Sequence, residues 1–131
     1  MYESFDDYKE YIESIKNVLP SHVYEFSLDV NRHNLNSPHS LHDAWLTSVT
    51  IKEHRNKSRP FESKATLVIE LLGPMHDRDI ILQYEEIVSY KIEGMENPYN
   101  SNDTFHGDIA CHEVILNDDG YLVHEILMAS E

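Results

Sequence analysis

The chain has 131 residues, 40% of them hydrophobic, with 24 acidic against 10 basic side chains and a net charge of −14. That length suits one domain around one core, and the hydrophobic content excludes an intrinsically disordered chain. The charge opposes direct binding of nucleic acid or an anionic membrane and favours basic partners.

Residues 4–19 read as a helix, because Phe5, Tyr8, Ile12, Ile15 and Leu19 recur at three- and four-residue spacing and make one apolar stripe. Ser4 is placed to cap it, with Asp7 three residues on, and Pro20 stops it. Residues 23–30 admit two readings. Tyr24, Phe26, Leu28 and Val30 alternate with polar residues, which suits a strand; Pro20 as a first helical residue suits a second helix. "NRHNLNSP" is then a loop by composition. From Ala44 the chain reads as β, with Trp45, Thr47, Val49 and Ile51 expected on one face of the first strand. "KSRPFES" reads as a break. "KATLVIELL" and "RDIILQY" are apolar strands flanking the turn "GPMHD". Glu85 and Glu86 are expected to form a bulge, after which "IVSYKI" resumes as a strand and "EGMENPYNSNDT" makes a long loop. Finally "DIACHEVIL" and "YLVHEILMAS" flank "NDDG", a hairpin signal.

The expected fold class is α+β: one or two N-terminal helices packed on a mostly antiparallel sheet of about five or six strands. A single domain spans residues 1–131, helical over about 4–30 and β-rich over about 44–128. The acidic opening "MYESFDDYKEYIES" lacks the basic and apolar regions of a signal peptide, and no apolar run approaches the roughly 18 residues of a membrane span. The lone Cys111 excludes an internal disulfide and fits a reducing compartment, so the expected location is the cytoplasm.

Two constellations invite chemistry. In "SPHSLHDAW", His39, His42 and Asp43 supply three metal-ligand types, with His106 as a fourth if the fold brings it near, which is the basis of a metal-dependent hydrolase reading. Against it, Pro38 and the strand onset at Ala44 imply irregular backbone, where His and Asp side chains serve a corner by bonding backbone groups. The second is the repeated His-Glu of the last hairpin. A two- or four-residue loop would put His112 on a face with Glu125 and Glu113 on a face with His124, whereas a three-residue loop with a bulge would break the pairing. Cys111 and His112 face opposite sides of a strand and make no dyad, and Cys111 reads as a small apolar packing residue. The chain has no GxxxxGK[ST], GxGxxG, GxSxG, HExxH or CxxC motif.

The order "SLHDAWLTSVTI", two apolar strands, "LQYEEIVSYKI" and a late "HEILM" resembles small acidic, β-rich bacterial proteins that include immunity proteins of polymorphic-toxin systems. That resemblance implies a non-catalytic protein that binds and neutralises a basic toxin domain, with no cofactor. After Lys91 there is no Lys or Arg, while nine acidic residues follow. Tyr99 and Phe105 are the candidate anchors for such a partner, with Asp103, Asp108, Asp118 and Asp119 as an acidic rim. A third class is a structural module in which an exposed edge strand pairs two copies, so that the protein is a monomer or a homodimer.

Overall fold

Two helices precede five antiparallel strands, an α+β fold, in a computed structural model that describes residues 2–99 and 102–129. Helix α1 (Phe5–Ser14) starts where Ser4 Oγ accepts the Asp7 N–H at 3.1 Å, with Asp6 and Asp7 against the positive end of the dipole. Its stripe buries Tyr8 and Ile12. A 3₁₀ turn over Lys16–Val18 then leads to Pro20, whose carbonyl accepts the N–H groups of Val23 and Tyr24 at 3.1 and 3.0 Å. This opens α2 (Ser21–Leu28) and decides residues 21–28 for helix. The reason is packing: Val23, Tyr24 and Leu28 meet the stripe of α1, while Phe26 turns to the core of the sheets. Val30 falls in a second 3₁₀ turn, Val30–Arg32, capped by Asp29.

Strands β1 (Trp45–Asn56), β2 (Arg59–Leu72) and β3 (Asp79–Tyr84) form one sheet in that order; β4 (Ile109–Leu116) and β5 (Leu122–Met128) form another. An isolated bridge between Trp45 and Asp108 links the two. Both sheets contribute to one core around Leu41, Ala44, Leu71, Ile80, Leu82 and Ile109. Among the described residues no helix is long and apolar enough to cross a membrane.

Four local expectations need correction. The five strands make two sheets rather than one, because "IVSYKI" is not a strand: Glu86 takes a left-handed φ of 53° that breaks the ladder after Tyr84, and beyond the Ile87 N–H, which still reaches Ala65 O, no pairing with β2 follows among the described residues. "KSRPFES" is not a break but the start of β2, and the hairpin turns at residues 57–58, where Asn56 Oδ1 accepts the Ser58 N–H. A bulge between Leu46 and Ser48 changes the phase of β1, so Leu46 joins Val49 and Ile51 opposite Leu71, Ile69 and Leu67, and Thr47 is the extra residue.

The last correction concerns the final hairpin. Its loop has five residues, 117–121, pinned by Asn117, whose Oδ1 accepts the N–H groups of Asp119 and Tyr121. Gly120 supplies the φ of 86° that the turn needs. With Leu116 opposite Leu122, His112 and His124 come to one face and Glu113 stands opposite Glu125. The expected His–Glu pairs do not form.

Helix α1 covers the outer edge of β4 with phenols. The Tyr8 hydroxyl donates to Val114 O at 2.9 Å and accepts the Val114 N–H at 2.7 Å, and the Tyr11 hydroxyl accepts the Leu116 N–H at 2.9 Å. An edge that would otherwise expose backbone groups is thereby closed.

Candidate functional site

Residues 37–45 build a corner stitched to β4. Ser37 and Ser40 hydroxyls accept the N–H groups of His39 and His42, at 3.2 and 3.1 Å. His42 Nδ1 donates to Ala110 O at 2.6 Å, while its Nε2 lies 3.4 Å from Asp43 Oδ1. Asp43 takes a left-handed φ of 65° and sends its N–H to Ile109 O at 2.8 Å. Ile109 N–H returns to Ala44 O at 3.1 Å, and Trp45 Nε1 donates to Asp108 Oδ1 at 2.5 Å. The His39 ring instead meets the Arg78 guanidinium, 3.0 Å from its Nε2. His106 lies elsewhere, against Phe105 and Gly94. His39, His42, Asp43 and His106 therefore do not converge, and among the described residues no group of three His, Cys, Asp or Glu side chains is arranged to hold a metal ion.

The densest polar constellation lies at the junction of the two sheets and the helices. His112 Nε2 donates to the Arg32 carbonyl at 3.1 Å, and a carbonyl can only accept. In a neutral ring His112 Nδ1 is then bare, so it accepts from His124 Nε2 at 3.0 Å; His124 Nδ1 in turn is bare and accepts the Tyr84 hydroxyl. The result is a one-way chain, Tyr84 to His124 to His112 to Arg32 O, joining β3, β5, β4 and the 3₁₀ turn. His33 stacks on His112 with centroids 4.3 Å apart and donates through Nε2 to Ser27 O at 3.0 Å, and Phe26 packs on both His112 and His124.

Burial, reinforced by the neighbouring imidazoles, lowers the pKa of His112 to about 3 and that of His124 to about 4. Burial lowers His33 as well, and raises the Tyr84 phenol above its usual value. All three imidazoles are held neutral at pH 7, which the one-way chain requires. The chain ends in a backbone carbonyl, so its role is to join layers with every polar atom satisfied. The His-Glu repeat of the sequence singles out His112 and His124 but pairs them with glutamates; their even spacing brings the two rings to one face once the loop has an odd number of residues. Nothing local marks Tyr84 or His33. Glu113 has its own partner, accepting the Tyr2 backbone N–H at 2.8 Å, and burial followed by the Glu113 charge raises the Cys111 thiol.

The six candidate partner-binding residues divide. Tyr99 (80% exposed), Asp103 and Phe105 lie on the surface of one loop, which Asn97 organises by donating its N–H to Phe105 O and accepting the Tyr99 N–H on Oδ1. Asp108, at the end of that loop, is occupied by Trp45. Asp118 and Asp119 are exposed in the β4–β5 turn, at the far end of β4. Eight residues of strand separate the two places, roughly 25 Å at the usual rise. Beside α1, an open depression is lined by Glu3, Asp7 and Glu10 around Tyr2 and Tyr11, whose rings stack at 5.2 Å. Comparison with family models, curated proteins and solved structures finds no match to this chain.

Proposed function

We propose that this chain is a non-catalytic, cytoplasmic binding protein that neutralises a basic protein partner, in keeping with its resemblance to immunity proteins that block a toxin domain. One observation carries the reading: Tyr99 and Phe105 present large aromatic surfaces to solvent in a part of the chain that has acidic residues and no Lys or Arg. Exposed aromatics next to carboxylates suit a cationic surface, the rings supplying buried area and the carboxylates orientation and encounter rate. The depression beside α1 adds a second place where carboxylates surround phenol rings, a geometry suited to Lys or Arg.

The test titrates candidate basic protein domains into the purified protein by calorimetry, beginning with any encoded by neighbouring genes. Binding is expected, and Tyr99→Ala with Phe105→Ala is expected to weaken it by about 2 kcal/mol or more, the scale of interface anchors. Equal affinity of the double variant would overturn the assignment of these residues; absence of binding would overturn the function.

A further inference from the structure

We propose that two copies of this chain associate, the β1–β2 arm of each seated on residues 85–96 of the other. Fifteen consecutive residues, 50–64, are exposed: the hairpin of β1 and β2 runs out beyond the body as a two-stranded ribbon. Such a ribbon has little of its own to hold it in water. Strand β3 ends opposite Leu67, so β2 from Arg59 to Thr66 pairs on one side only, apart from the Ile87 N–H reaching Ala65 O at 3.3 Å. The arm also carries Phe61, which is 99% exposed and touches nothing that would hold it there.

Next to the arm, residues 88–96 are exposed, belong to no helix or strand, and make no backbone–backbone hydrogen bond to a described residue. Val88, Tyr90, Ile92 and Met95 within them are each more than half exposed. With Phe61 and Ile51 they are large apolar side chains left in water on a chain whose charge is otherwise high, the kind of surface that marks an interface.

Charge chooses the occupant. Residues 52–64 hold Lys52, Arg55, Lys57, Arg59 and Lys64 against Glu53 and Glu62, a net +3; residues 85–96 hold Glu85, Glu86, Glu93 and Glu96 against Lys91, a net −3. The two halves are opposite and equal in charge, and they adjoin where the Ile87 N–H meets Ala65 O and Lys64 meets Glu86, before the segment runs on to Gly94 beside His106, so each copy offers both halves of a reciprocal two-fold contact. Within the chain Arg55, Arg59 and Lys64 pair with Glu53, Glu62 and Glu86 at 2.9, 3.7 and 3.8 Å, so Lys52 and Lys57 are the arm cations with no ion pair among the described residues. The overall repulsion of two acidic bodies is screened within about 8 Å at physiological salt, whereas charges in contact keep most of their attraction. This contact uses none of the residues assigned above to the basic partner, so the two readings stand or fall separately.

Sedimentation velocity of the full chain over a hundredfold concentration range tests the proposal. A dimer that weakens as salt rises is expected, and Phe61→Ala or the pair Lys52→Glu with Lys57→Glu should raise its Kd about tenfold or more. Lys52 and Lys57 make no ion pair among the described residues, so their reversal leaves the monomer intact. The pair Glu93→Lys with Glu96→Lys should weaken the dimer likewise. Mixing the arm-reversed chain with the segment-reversed chain should restore it, since both contacts are then complementary, and a variant harmed only in folding gives no such recovery. A wild-type chain that stays monomeric throughout, a dimer indifferent to these changes, or a monomer whose arm shifts an oligonucleotide would each overturn the proposal.

Discussion

Three side chains and one carbonyl set the behaviour of the interior. Tyr84 donates to His124, His124 to His112, and His112 to Arg32 O, and each step is consistent only with neutral rings. Tyr84→Phe removes the first donor and leaves His124 Nδ1 buried without a partner, which should cost about 1–3 kcal/mol in urea unfolding. The pH dependence has a definite sign. Folded His112 and His124 titrate near 3 and 4, below the unfolded value of 6.5, so under pH 6.5 the unfolded chain binds more protons than the folded one. Their contribution is whole above about pH 6.5 and is lost as pH falls toward 4, at about 1.4 kcal/mol per pH unit for each histidine. Denaturation between pH 7 and 5, above the range where most carboxylates titrate, should show that slope, and His124→Gln should make it shallower. A wild-type stability flat over this interval would contradict the neutral chain.

Among the elements, the contact of α1 with β4 is specified by hydrogen bonds as much as by burial. Tyr8→Phe keeps the buried ring and deletes the hydroxyl that serves both the N–H and the C=O of Val114. The expected loss is about 1–3 kcal/mol with faster amide exchange confined to β4; a variant with unchanged stability and exchange would mean that water replaces the phenol. The stripe of α1 and its Ser4 cap were legible because they depend on neighbours within one turn. Residues 21–28 were ambiguous because their alternation fits a strand, and only packing of Val23, Tyr24 and Leu28 on α1 selects the helix. The register of the last hairpin was misread because "NDDG" suggests a four-residue loop, while Asn117 and Tyr121 close a five-residue one. That single residue turns two cross-strand ion pairs into a histidine pair. The chain from Tyr84 to Arg32 was hidden for a related reason, since it joins residues 12, 40 and 80 positions apart that only the tertiary fold brings together.

For the whole molecule, charge is the dominant property, and it was fully legible: −14 overall, with basic residues gathered in the β1–β2 arm and absent after Lys91. What composition does not show is that Asp118 and Asp119 lie at the opposite end of β4 from Tyr99, Asp103 and Phe105, so the acidic rim is not one patch. Recognition of a basic partner through an acidic, aromatic surface is tested most directly by the association rate with a basic protein domain at two ionic strengths. Fast association that slows steeply as salt rises is expected, with a further slowing for Asp103→Lys and a dissociation rate little changed. An association rate indifferent to both salt and Asp103→Lys would contradict it.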